Sequence, residues 1–155
     1  MPVSAFILAG EASGDRLAAQ LMAAASDVFP GISWFGIGGA KMQKAGLASL
    51  GDMDSLSIIG FGEALASFTT LSRLADRLIA EIITRQPEYV FTVDSKGFSL
   101  RFAKRLRKAL AGNRYQPKLI HMVAPTVWAW GAWRAKKFGQ YFDHIFCLFP
   151  FEPAY

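Results

Sequence analysis

The chain has one cysteine, two histidines and few acidic residues, and no long apolar run. A single cysteine, Cys147, excludes an internal disulfide framework; its setting in IFCLF reads as core. The two histidines, His121 and His144, have no Cys or carboxylate at ligand spacing, so they do not read as a metal site. No stretch reaches the about 18 consecutive apolar residues of a spanning helix, which leaves peripheral membrane contact open. The N-terminus lacks the basic start of a signal peptide and meets an acid at Glu11. Asp and Glu total 12 against 17 Lys and Arg, and between Ser95 and Phe142 eleven cations stand with no acid. That imbalance suits an anionic lipid, a phosphorylated substrate or nucleic acid, and equally a set of solvated helix faces.

What is present is apolar sequence in short runs. The 155 residues are 52% hydrophobic, enough for one domain with a core and above the usual share. Some of that surface is expected to meet a partner domain or a membrane. The closing run IFCLFPFEPAY suggests a polypeptide that continues.

Residues 4–9, 32–37, 89–94, 118–123 and 144–149 read as strands, most of them continuously apolar as in a sheet covered on both faces. Helical patterns lie between them. Residues 15–28 put Leu17, Leu21, Ala24 and Val28 on one face, residues 63–84 carry a leucine-rich stripe, residues 99–111 turn Leu100, Ala103, Leu106 and Leu110 inward, and 133–141 is a shorter candidate. LASLGD can add a short strand, and LSIIGFGEAL reads as a loop entering the long helix. Alternation of this kind predicts an α/β, Rossmann-like, open and mostly parallel sheet.

In such sheets ligands bind beyond the carboxyl ends of the strands. Four segments qualify: GEASGD, GIGGAKM, the turn after Asp94, and APTVWAW. In GEASGD, Ser13 or Asp15 can cap the first helix, Gly10 and Gly14 permit a tight turn, and the helix start can hold phosphate or sugar hydroxyls. The dinucleotide pattern G-x-G-x-x-G is absent, and Glu11 would repel a pyrophosphate. Gly38 and Gly39 let backbone approach a neighbour or a ligand. Asp94 can act as a general base toward a hydroxyl, cap the next helix, or pair with Lys96. Glu11 and Asp94 follow strands expected to be neighbours. Trp128, Trp130 and Trp133 can stack on sugar, cover lipid or fill a core, and Arg134, Lys136 and Lys137 can meet phosphate.

Taken together and in order, AGEASGD, GIGGAKMQKAG, LSIIGFGEAL, the strand ending in Asp94, APTVWAW and LFPFEPAY resemble the bacterial lipid-A-disaccharide synthase family over essentially all 155 residues. The resemblance implies two Rossmann-like domains in the GT-B glycosyltransferase arrangement. Residues 1–155 would form the N-terminal, acceptor-side domain, and the C-terminal UDP-sugar-binding domain would be absent. It implies transfer of 2,3-diacylglucosamine from its UDP donor to 2,3-diacylglucosamine 1-phosphate, without a metal or other cofactor. It also implies a cytoplasmic enzyme held peripherally at the anionic inner-membrane surface, with no nucleic-acid partner.

Carried over residue by residue, Asp94 would be the general base and Glu11 would orient the acceptor or support that base. Ser13, Gly14, Gly38, Gly39, Trp128, Arg134 and Lys137 would contact it. Ile58, Ile59, Phe61, Leu65 and Phe68 would form an apolar patch for acyl chains and membrane. Two departures stand out. DSKGFSL puts Lys96 and Gly97 where the family usually has Pro-Asp, and Gly131 follows WAW where arginine is common. The other readings are a GT-B transferase with a non-lipid acceptor and a non-enzymatic module for anionic lipid or nucleic acid.

Overall fold

The computed structural model describes residues 2–54, 56, 66–124 and 133–154, with backbone only for 66–68, 134 and 154. In chain order the elements are β1 (Ser4–Ala9), α1 (Ala12–Val28), β2 (Ser33–Ile37), α2 (Ala40–Lys44), β3 (Leu47–Ser49), α3 (Ala66–Arg85), β4 (Tyr89–Val93), α4 (Lys96–Ala109), β5 (Lys118–Met122), α5 (Trp133–Gly139) and β6 (His144–Phe146). The described strands make one open parallel sheet in the order β3-β2-β1-β4-β5-β6. This is the α/β, Rossmann-like architecture that the alternating pattern predicts.

Both faces are covered. Phe6 and Leu8 of β1, with Phe35, Ile37, Val90 and Leu119, pack against α3, α4 and α5. Ala5, Ile7 and Ala9 point the other way, with Trp34, Phe91 and Val93, against α1 and α2. The chain walks outward from β1 through β2 to β3 with its helices on one face. From β4 it walks the opposite way with its helices on the other face. A single crossover handedness demands that change of face.

Several expectations need correction. The buried stripe of α1 is Gly14, Asp15, Ala18 and Met22; Leu17 and Leu21 pack half-buried against the core as expected, whereas Ala24 is exposed and Val28 is 70% exposed. Small residues win that face because they let the helix sit close to the sheet: a Cβ on Gly14 would already be in contact with Ala9 and Val93. Neither Ser13 nor Asp15 caps α1; Glu11 holds the N-cap position without a side-chain hydrogen bond. Helix α4 starts at Lys96, three residues before the expected Ser99. The Ser99 hydroxyl donates to the Asp94 carbonyl at 2.8 Å inside its first turn. Strand β6 stops at Phe146, short of residue 149. Beyond it the amides of Leu148 and Phe149 donate to the Glu152 carboxylate at 2.7 and 3.0 Å, which bends the chain out of the ladder. Cys147, in that bend, is exposed and not core.

Asp15 has a different task. Its carboxylate is buried and accepts hydrogen bonds from the amides of Gly39 (2.8 Å), Lys41 (3.2 Å) and Met42 (3.0 Å), at the start of α2. It therefore caps the neighbouring helix rather than its own. Gly39 is glycine because a Cβ there would lie 2.6 Å from Asp15 Oδ2.

His121 is the other buried polar anchor. It is wholly inaccessible on β5, shares a 2.8 Å hydrogen bond with Thr92 on β4, and lies against the rings of Phe138 and Phe142. Its Nε2 makes no hydrogen bond of good geometry among the described residues. Burial pushes its pKa down to about 4, against an upward pull from the Val123 backbone and helped by the charge of Lys96.

Two outcomes follow for stability. Asp15→Ala, which strands three amide donors, should cost about 2–3 kcal/mol in urea unfolding, and Asp15→Asn about 1 kcal/mol; an unchanged midpoint in the alanine variant would show that α2 is held otherwise. Because His121 is neutral when folded and protonates near 6.5 when unfolded, stability should fall as pH drops from about 6.5 to about 4. The total loss should be about 3 kcal/mol. His121→Gln should remove that part of the slope.

Candidate functional site

The sheet changes direction between β1 and β4, and the carboxyl ends of these two strands open on one crevice. Ala9 stands opposite Val93 in the register. Glu11 follows the first strand by two residues and Asp94 follows the second by one. The two turns touch: a Cβ on Gly10 would lie 3.0 Å from the Ser95 hydroxyl, and one on Gly14 would meet the Val93 side chain and carbonyl at 3.6 Å. The expected neighbouring of the Glu11 and Asp94 strands is thus present.

Local backbone sets the side chains. Glu11 is extended and exposed, its carbonyl accepts from the Asp15 amide at 2.9 Å, and its carboxylate is not used as a cap. Asp94 is half-buried. Its amide donates to the Met122 carbonyl at 3.0 Å, which ties the end of β4 to β5. Asp94 and Ser95 both have left-handed backbone, with φ of 52° and 42°, and Val123 at the end of β5 has φ of 78°. A β-branched residue in that region is strained, and such residues gather at sites that need a particular backbone. Three of the four left-handed non-glycine residues among those described stand at this one rim; the fourth, Gln86, is at the opposite end of the sheet.

The pairing of Asp94 with Lys96 does not occur: the ion pairs among the described residues are Arg85–Glu81, Arg105–Asp76 and Arg107–Asp143. Burial works against the charge of Asp143, yet the Leu119 amide and Arg107 outweigh it and hold that carboxyl below its ordinary value. This pair lies at the other end of β5 and takes no part in the crevice.

The remaining candidates divide. Ser13 is exposed on the first turn of α1, beside the crevice, and Gly14 is buried under it. Gly38 and Gly39 follow β2, but their close contacts are the Met42 side chain and the Asp15 carboxylate. Lys137 is exposed on α5, with its ammonium 4.6 Å from the Trp133 ring centre. Ile58, Ile59, Phe61, Leu65 and Trp128 lie outside the described residues, as do the side chains of Phe68 and Arg134. The loop expected in LSIIGFGEAL is outside them too. Among the described residues no three His, Cys, Asp or Glu side chains could jointly hold a metal ion, and no helix is long and apolar enough to cross a membrane.

Two features escaped the sequence reading. One is the Asp15 link to α2, whose signal was a carboxylate three and seven residues from the apolar positions Ala18 and Met22 on a helix, followed downstream by a Gly-Gly turn. The other is the Thr92–His121 pair, which only the β4–β5 register brings together.

Arranged this way, the crevice presents two carboxylates, one exposed and one half-buried, on touching turns. Such a site can accept a proton from a hydroxyl and orient a polyol. A family model described as lipid-A-disaccharide synthetase matches residues 5–155. Proteins named lipid-A-disaccharide synthase are similar to it. The one from Rhodospirillum centenum is 41% identical over 99% of this chain and 38% of its own length. That from Ruegeria pomeroyi is 40% identical over 97% of this chain and 36% of its own. That from Gluconobacter oxydans is 40% identical over 96% and 34%. The chain spans little more than a third of the length of these relatives, and over that third it belongs to the lipid-A-disaccharide synthase family.

Proposed function

We propose that this chain is the acceptor-side, N-terminal domain of a GT-B glycosyltransferase that makes lipid A disaccharide. The observation that supports it most is the joint occurrence of the family match over residues 5–155 and the two carboxylates at the β1–β4 crevice. In this reading the donor is UDP-2,3-diacylglucosamine and the acceptor 2,3-diacylglucosamine 1-phosphate. The uridine diphosphate would be held by a second domain. No metal is needed, since the leaving diphosphate can be neutralised by protein cations.

Asp94 is the general base. It removes the proton from the acceptor hydroxyl as that oxygen attacks the anomeric carbon, and the bond from that carbon to the diphosphate oxygen breaks, releasing UDP. Glu11 orients the acceptor ring through its hydroxyls. Ser13, Gly14, Gly38, Gly39, Trp128, Arg134 and Lys137 are the other proposed acceptor contacts. Gly39 also has its structural duty toward Asp15. Ile58, Ile59, Phe61, Leu65 and Phe68 are the proposed acyl and membrane patch, which would hold the enzyme peripherally on the cytoplasmic side of the inner membrane by apolar burial plus attraction to anionic lipid.

Lys96 and Gly97 stand where the family usually has Pro-Asp, and Lys96 makes no ion pair with Asp94. Asp94→Asn in the complete enzyme should lower kcat by about 10²- to 10⁴-fold, with unchanged folding, as expected for loss of a general base. Turnover near that of the parent would rule out the assignment. The 155-residue chain alone should show no transfer. A deacylated acceptor turned over as fast as the acylated one would count against a lipid acceptor.

A further inference from the structure

Helices α3 and α4 do not close on one another along their whole length. A cleft of about 190 Å³ separates them, on the face of the sheet that carries Phe6 and Val90. Its floor is apolar: Leu71 and Ala75 from α3, Phe98 and Phe102 from α4. Phe98 stacks on Phe102, and Phe102 on Phe6 of β1, so the floor is backed by the core. Its rim is cationic, with Arg101, Lys104 and Arg105. Arg105 donates to Ser72 and Asp76 and so straps the two helices together at one end. Arg101 and Lys104 are exposed and one helical turn apart.

We propose that this cleft holds an acyl chain of the phosphorylated acceptor, with the phosphate drawn to the Arg101–Lys104 rim. The choice of occupant rests on the function proposed above; the chemistry rests on the cleft. An apolar floor under a cationic edge matches a molecule with a hydrocarbon chain and an anionic head, and matches neither a free sugar nor a bare phosphate. Position agrees. Phe98, in the first turn of α4, stands four residues beyond Asp94 in the chain, which sets that end of the cleft toward the carboxyl end of β4. A sugar whose reacting hydroxyl meets Asp94 can send its acylated and phosphorylated end between the helices. The floor residues Leu71, Ala75, Phe98 and Phe102 are not among those of the proposed membrane patch.

The test is an amide NMR titration of this chain with octyl phosphate, kept below its micelle threshold. Octyl glucoside and inorganic phosphate are the controls. Octyl phosphate should give saturable shifts at Leu71, Ala75, Phe98 and Phe102, octyl glucoside weaker ones, and inorganic phosphate none at those residues. Lys104→Glu, on the exposed rim, should weaken octyl phosphate about five- to tenfold and leave octyl glucoside unchanged. Ala75→Phe should fill the slot and abolish both responses. If it perturbs folding, the Lys104 variant still decides.

Equal binding of both octyl compounds, insensitivity to Lys104→Glu, or shifts confined to other residues would overturn the proposal. So would binding to phosphatidylglycerol vesicles with no response to monomeric octyl phosphate, which would mark a membrane contact instead. None of these readouts requires sugar transfer. Octyl phosphate bound in the slot of a protein whose complete form transfers no sugar would uphold the cleft and count against the enzymatic reading.

Discussion

Parallel pairing of β1 with β4 is the constraint on which the rest of the molecule hangs. β1 is the strand from which the chain first departs in one direction, and β4 is where it resumes in the other. One handedness of crossover then forces α1 and α2 onto one face and α3, α4 and α5 onto the opposite face. The same pairing opens the crevice, because no connection passes between the carboxyl ends of two strands whose chains leave in opposite directions. The turns that carry Glu11 and Asp94 meet there for topological reasons before any chemistry is considered. The left-handed residues Asp94, Ser95 and Val123 are the local cost of turning two chain segments at one rim.

Among the described residues, a few polar links with buried or half-buried partners tie the elements to one another. Asp15 holds the start of α2 with one carboxylate and three amides, and through it the Gly38–Gly39 turn follows α1. Thr92 and His121 do the same for β4 and β5. Asp143, with Arg107 and the Leu119 amide, ties the far end of β5 to α4. These links sit between elements that hydrophobic burial would bring together but would not align. A carboxylate or an imidazole has direction, and the packed leucines around it do not.

Much of the framework is legible in the residues. SAFILA is apolar after Ser4, bounded by a glycine, and is a strand from end to end as read. LASLGD contributes the short β3. The crevice could be located because strand ends and turns are visible in the pattern. Three things were not fully legible, each for a physical reason. The inward face of α1 is half legible: Leu17 and Leu21 flank the core, but close packing on the sheet puts Gly14 and Ala18 at its centre and leaves Val28 in solvent. The end of β6 was missed because Glu152, several residues on in the chain, competes for its amides. The role of Asp15 was missed because it depends on a helix 25 residues later. At the crevice, Asp94 and Glu11 stood out as carboxylates at strand ends; the strained backbone that presents them did not.

The register joins residues 5–9 to residues 89–93, a separation of more than half the chain. A polypeptide synthesised from its N-terminus carries β1, β2 and β3 long before β4 exists. Through that interval β1 has a partner on one side only, and the apolar Phe6 and Leu8 lack the helices that later cover them. The nascent chain therefore exposes an unpaired strand edge that templates wrong partners as readily as the right one. Closure of the crevice is also the closure of that edge: the step that assembles the site covers β1 and passes the open edge on to β4 until β5 arrives.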